Sequence, residues 1–219
     1  VKTQDSTTEH KGWYRHRYLP HFDQPGLIQH VCFHLADSLP QAAIERIRWE
    51  VRNLPAIRRK LELSRRLHDL LDAGAGTCLL RRPQLARIMQ AALEFGEGSR
   101  YRLHAWSIMP NHVHVLIELL PGWPLGKLVQ SWKRHTTKEF RTVLALEGEG
   151  GSTTERFWQE DYWDRFVRDE AHLERVIGYI EENPVMAGLL DRPDLWPWGS
   201  ARYRLADCEN GAHLRNEAR

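Results

Sequence analysis

Apolar residues recur along the chain with two alternating periods, and the switches between them outline its elements. Residues 27–35, Leu-Ile-Gln-His-Val-Cys-Phe-His-Leu, carry apolar groups on both faces of an extended run, which predicts an interior strand. Ile44, Ile47, Val51 and Leu54, then Ile57, Leu61, Leu67, Leu70 and Leu71, follow at helical spacing on either side of Pro55. Proline lacks an N–H and crowds the turn before it, so 39–71 reads as two helices broken near Pro55, with arginines outward. Gly74-Ala75-Gly76 marks a loop. Pro83 suits a first helical position, and Leu85, Ile88, Met89, Ala92 and Leu93 carry that helix to about Phe95.

The pattern then returns to period two. Residues 101–108 form a second strand, Met109-Pro110-Asn111 turns it, and 112–119 alternate as a third. Leu128, Val129, Trp132, Phe140 and Val143 stripe a helix from about Leu125 to Leu146, and 147–155 form a flexible connection. Phe157 to Val167 suggests a further, aromatic-rich strand. Asp169 is placed to cap a helix from Glu170 to about Glu182 that Pro184 closes. Residues 1–25 read as an irregular lead-in, and the tail after Asp207 as frayed. Strand, helices, hairpin, helix, strand and helix in this order predict an α+β domain with an antiparallel sheet, close to a ferredoxin-like plan.

With 219 residues the expectation is one domain, 1–219, carrying a helical segment at about 38–75 and a frayed tail from about 207. A net charge of +2 supplies no global polycation. The positive charge is instead clustered: Arg46, Arg48, Arg52, Arg58, Arg59, Lys60, Arg65 and Arg66 in one stretch, and Lys127, Lys133, Arg134, Lys138 and Arg141 in another. Cys32, Cys78 and Cys208 are odd in number and lack CxxC spacing, which argues against a disulfide framework or a zinc ribbon. No apolar run is long enough to cross a membrane and no signal peptide opens the chain, so a cytoplasmic protein is expected.

The candidate chemistry lies in the third strand. His112 and His114 share one face, about 7 Å apart along the backbone, while Val113, Val115, Ile117 and Leu119 take the other. Two imidazoles so placed can hold a metal, although an HxH pair in a strand can equally be structural. Tyr179 and Asn183, at i and i+4, share one face of the last helix and could meet the pair. Two neutral imidazoles and an amide oxygen make a mixed N/O site suited to Mg²⁺ or Mn²⁺ bound to a phosphate. Tyr179 is then a candidate nucleophile, or else one more half-buried aromatic. A free phenol has a pKa near ~10 and needs a nearby cation. Tyr162, Trp158, Trp163, Trp196 and Trp198 read as packing residues, with base stacking open to one or two. Glu118 is either an outward charge or a partner of a histidine, and His104 is read as structural.

Several stretches, taken together, resemble the REP-associated tyrosine transposases among the single-tyrosine HUH nucleases. They are Trp106-Ser-Ile-Met-Pro-Asn-His-Val-His-Val-Leu-Ile-Glu118, Phe157-Trp-Gln-Glu-Asp-Tyr-Trp-Asp-Arg-Phe-Val-Arg-Asp169, Tyr179-Ile-Glu-Glu-Asn-Pro-Val-Met-Ala-Gly-Leu189 and Asp194-Leu-Trp-Pro-Trp-Gly-Ser200. The lead-in Tyr18-Leu-Pro-His-Phe-Asp-Gln-Pro-Gly-Leu-Ile28 resembles a subgroup. The resemblance implies the HUH endonuclease fold, with His112, His114 and Asn183 as ligands of Mg²⁺ or Mn²⁺ and Tyr179 as nucleophile. It also implies cleavage of single-stranded DNA beside palindromic hairpins, through a 5′-phosphotyrosine that leaves a 3′-hydroxyl. With it, Lys127, Lys133, Arg134, Lys138 and Arg141 become candidate DNA contacts, and relatives of this kind occur as monomers and homodimers. Two departures stand out: 38–75 is an Arg-rich insertion relative to shorter members, and Gly199-Ser200 replaces the more usual Ser-Ser. A binder of hairpins that no longer cuts, or a small-molecule metallohydrolase that leaves Tyr179 idle, are the competing readings.

Overall fold

Four antiparallel strands, in the order β4-β5-β3-β6, build the sheet that carries the candidate site. They are β3 (Ile28–His34), β4 (Tyr101–Ile108), β5 (His112–Leu119) and β6 (Trp163–Phe166). In this computed structural model residues 9–16, 19–149 and 156–204 are described. The expected frayed tail and most of the 147–155 connection lie outside them. The strand order is that of a ferredoxin-like sheet, and β3 is interior, as its two apolar faces require.

Alternation along β3 and β5 separates two layers. Val31, Phe33 and Leu35 of the β3 stretch and Val113, Val115, Ile117 and Leu119 of β5 face one way, into the main core. Helices α3 (Pro83–Glu94) and α4 (Leu125–Leu146) cover that side with Leu85, Met89, Leu128, Trp132 and Phe140. On the other face Cys32 packs with Leu39, Ile47, Leu67 and Leu71 of the segment carrying α1 (Gln41–Val51) and α2 (Ala56–Asp72). Leu116 and Ala105 there meet Ile180 of α5 (Glu170–Met186). Pro55 sits just ahead of α2, where its missing N–H costs no helical bond.

Three expectations are corrected. The lead-in forms a hairpin of β1 (Gly12–His16) and β2 (Leu19–Asp23). A two-stranded ribbon is marginal alone, so its stability comes from docking, which local pattern does not report. Phe22 packs on Phe166 with ring centroids 5.7 Å apart, and the His21 imidazole bonds the Asp164 carboxylate. The strand expected over 157–167 is shorter, because 157–162 leaves the sheet after a single bridge between Trp158 and Leu35. Helix α5 runs through Pro184 to Met186, since in the last turn the lost N–H removes one bond while the Ala187 N–H still reaches the Asn183 carbonyl at 2.9 Å. Its start is as expected, with the Asp169 carboxylate accepting from the His172 N–H at 2.7 Å.

Candidate active site

The β5 strand delivers His112 and His114 to one face, and the two side chains converge more closely than their backbone spacing. Their Nε2 atoms are 3.1 Å apart, and both residues are fully buried. Asn111 sets the first of them. Its amide nitrogen donates to the Leu71 and Ala75 carbonyls at 3.1 and 2.9 Å, which turns its oxygen to His112 Nδ1 at 2.7 Å. The His112 proton is therefore on Nδ1, and Nε2 offers a lone pair. His114 Nδ1 lies 3.0 Å from His30 Nε2. A proton on His114 Nδ1 bonds His30; a proton on Nε2 bonds His112. A cation at the pair selects the first arrangement.

Burial holds His112 and His114 well below the ordinary histidine range, with neighbouring histidines adding to the effect, so both are neutral imidazoles at neutral pH. Burial likewise lowers His30 to about 3, with His68 and Arg165 adding to it. Adjacent ligands on one octahedral ion with bonds of about 2.1 Å lie about 3.0 Å apart, so the Nε2 pair fits a single divalent cation.

Helix α5 brings the remaining sequence-identified residues to the same face. The Tyr179 ring stands edge-on to His114 and His30, at centroid distances of 5.5 and 5.9 Å. One turn on, Asn183 is fully buried, and neither atom of its side-chain amide makes a well-formed hydrogen bond among the described residues. A buried amide left unsatisfied is costly, and a ligand role would satisfy its oxygen. Burial pushes the Tyr179 phenol up, Asp72, Cys32 and Asp69 push it further, and Asn183 opposes them. The phenolate is thus disfavoured by its surroundings.

Three contributors carried no sequence signal for this site. Asp72, the last residue of α2, has Oδ1 3.4 Å from His112 Nε2, and a ligand atom from each of Asp72, His112 and His114 lies within 4.8 Å of the others. Burial raises its carboxyl to about 6, with Asp69 adding to it. His30 orients His114, and His68 stacks on the His114 ring at 6.1 Å. Glu118 sits at the far end of β5, beside Arg102 and His104 at 3.5 and 3.7 Å, outside the site.

The basic stripe of α4 lies on the opposite layer. Lys127, Arg134, Lys138 and Arg141 line a cleft of about 1110 Å³, with Lys11 and Arg156. Lys133 departs from the role expected of it. Its ammonium donates to the carbonyls of Gln159, Glu160 and Asp161 at 2.8, 3.1 and 2.9 Å, which staples 159–161 to α4. Burial lowers its pKa to about 8, with Asp161 opposing. Tyr162 is a packing residue, with its hydroxyl 2.8 Å from that of Tyr14 and its ring 4.3 Å from that of His21. Segment 157–163 has residues on both sides of the sheet. Gln159 and Tyr162 line the cleft, while Trp163 stacks on His34 at 5.2 Å on the histidine side.

One strand of this α+β fold presents two converging histidines, and a neighbouring helix sets a tyrosine and an asparagine beside them. Residues 79–183, just under half of the chain, match the family model described as transposase IS200 like. The matched span contains His112, His114, Tyr179 and Asn183, and excludes α1 and α2. A Haemophilus influenzae protein provisionally named as a REP-associated tyrosine transposase is 26% identical over 98 residues, 42% of this chain and 54% of that one. An uncharacterized protein of the same organism is 25% identical over 99 residues, 39% of this chain and 55% of that one. The chain spans about half the length of the curated relatives it matches. Among solved structures, a REP-associated tyrosine transposase bound to a REP hairpin shares the fold, with a TM-score of 0.55, 15% identity and coverage of 88% of this chain and 86% of that one. The recognition reached from the motifs holds.

Proposed function

We propose that this chain is a metal-dependent single-stranded DNA endonuclease and strand transferase that acts beside palindromic, REP-like hairpins. The observation that carries the reading is the Tyr179 ring edge-on to His114 at 5.5 Å, beside two buried histidine nitrogens 3.1 Å apart. His112, His114 and Asn183 hold the Mg²⁺ or Mn²⁺. When bound, the ion polarises the scissile phosphate and favours the phenolate. Tyr179 Oη attacks phosphorus, the bond from phosphorus to the 3′ oxygen breaks, and that oxygen leaves as a 3′-hydroxyl. The product is a 5′-phosphotyrosine, and attack by a 3′-hydroxyl on it rejoins DNA and returns the tyrosine.

The α4 cleft supplies the electrostatic hold. Lys127, Arg134, Lys138 and Arg141 contact the phosphates of the hairpin, and the single strand passes segment 157–163 to Tyr179. The catalytic unit is one HUH domain, with the α1–α2 hairpin inserted between β3 and α3. It acts in the cytoplasm as a monomer or homodimer; no helix among the described residues is long and apolar enough to cross a membrane.

Oligonucleotides carrying palindromes from beside the gene, incubated with protein and Mn²⁺, test this on a denaturing gel. A covalent adduct mapped to Tyr179 by mass spectrometry and lost in Tyr179→Phe is the expected result. Tight binding without any adduct would replace the nuclease with a hairpin binder, and an adduct at Tyr162 would move the site.

A further inference from the structure

We infer that the α1–α2 helical hairpin is part of the metal centre, with Asp72 as an anionic ligand that joins His112, His114 and Asn183. This rests on the metal-site reading above. The hairpin lies outside the span that matches the family model, so its role has to come from its own contacts.

The first ground is a carboxylate oxygen with no donor among the described residues. Asp72 Oδ1 is buried and has no hydrogen-bond partner among them. Its nearest neighbour in the site is His112 Nε2 at 3.4 Å, and in neutral His112 that nitrogen bears a lone pair, because Nδ1 is committed to Asn111. A carboxylate oxygen facing an unprotonated nitrogen is two acceptors without a proton between them. Oxygen and nitrogen lone pairs that converge, with the ligand atoms of Asp72, His112 and His114 all within 4.8 Å of one another, suit a cation. The second ground is the amide of Asn183, fully buried, close to the Tyr179 side chain, and without a well-formed hydrogen bond to any described residue in either atom.

The third ground is that Asp72 is held in place. The Asn111 side chain bonds the carbonyls of Leu71 and Ala75, on either side of Asp72, and reaches His112 with its oxygen. Its own carbonyl accepts from the Leu35 N–H at 2.8 Å and the Ser38 hydroxyl at 2.9 Å, which ties the start of the α1–α2 segment to the same residue. Leu71 is fully buried beneath this turn, and His68, one turn earlier, stacks on His114. The hairpin is thus clamped to the histidine strand at both ends, with its one carboxylate at the site directed at the pair. A fourth, charged oxygen ligand strengthens the preference for a hard divalent ion over the neutral set of two histidines and an amide.

Isothermal titration of the full chain with Mn²⁺, without DNA, tests the assignment. Wild type is expected to bind one ion, Asp72→Asn to bind it at least tenfold more weakly, and Asp69→Asn, a change in the exposed partner of Arg65, to match wild type. In thermal melts Asp72→Asn is expected to equal wild type without metal and to lose most of the Mn²⁺-induced rise. Equal Mn²⁺ affinity in wild type and Asp72→Asn, with binding lost in His112→Ala, would overturn the Asp72 assignment and leave the metal site standing. No Mn²⁺ binding by wild type would overturn both. If Asp72→Asn does not fold, Mn²⁺ added in trace amounts to the ¹⁵N-labelled wild type decides. Amide signals of 71–73 should broaden together with those of 112–114, and sharp signals at 71–73 would overturn the assignment.

Discussion

The two faces of the sheet are built from alternate residues of the same strands, yet they are opposite in chemistry. Beneath α3 and α4, Val113, Val115 and Ile117 meet Trp132, Phe140 and Leu93 in a dry apolar core with no polar group to satisfy along the strand. On the face covered by α2 and α5, His112 and His114 are equally buried, but they are surrounded by Asn111, His30, Asp72, Tyr179 and Asn183. Burial costs nothing extra on the first face. On the second it leaves acceptors converging with too few donors, which a bound cation would relieve. The first face therefore stabilises the domain, and it holds in place the second, which gathers the polar groups of the proposed site. A polar cluster can be kept dry and rigid because the other side of the strand supplies the apolar burial.

The division can be broken most severely at the histidines. His114→Ala is expected to reduce adduct formation on Tyr179 by about a thousandfold or more, in the range of lost metal-assisted catalysis, while hairpin affinity in a gel-shift stays within about twofold. The mirror experiment reverses charge on α4. Lys127, Arg134 and Lys138 changed together to Glu should weaken hairpin binding by about a hundredfold and flatten its salt dependence by ~0.7–0.9 per lost phosphate contact. Mn²⁺ affinity should not change in that variant. Loss of metal binding there would mean that the two faces are not independent.

Lys133 sharpens the contrast within the stripe itself. Removal of its ammonium leaves the carbonyls of Gln159, Glu160 and Asp161 short of a donor, so Lys133→Met should destabilise the domain by about 2–3 kcal/mol in urea melts. Lys138→Met, at an exposed position, should stay within ~0.5 kcal/mol.

The lead-in hairpin is expected to loosen with alkali. Burial alone would lower the His21 pKa, but hydrogen bonds to Asp161 and Asp164 raise it to about 9, above its unfolded value near ~6.5. A histidine whose folded pKa is raised contributes stability that is complete below the unfolded pKa and is lost as pH rises through the folded one. Amide exchange in β1 and β2 should accordingly quicken between about pH 7 and pH 9.5, beyond the intrinsic base-catalysed rise, and Asp164→Asn should shift that window down. A smaller loss than at Lys133 is expected for Tyr162→Phe, which removes one hydrogen bond to Tyr14, costs about 1 kcal/mol and leaves the adduct at Tyr179.

Much of the architecture is legible in local pattern because strand and helix periods are properties of neighbouring residues. The split at Pro55, the Asp169 cap, the interior β3 and the shared face of His112 and His114 follow from spacing alone. The i, i+4 relation places Tyr179 and Asn183 on one helical face, and the motifs around them carry the family resemblance. Spacing does not tell which element lies across from which. That decision brings Asp72 to His112 from 40 positions away and His30 to His114 from 84, and it assigns the α4 stripe to the face opposite the histidines. It likewise turns Lys133 from a charge on a helix into a staple for three carbonyls. The physical reason is that periodicity records which residues must be buried together on one element. The partners in that burial are chosen by the packing of whole layers, and hydrogen bonds such as those of Asn111 then lock the choice in register.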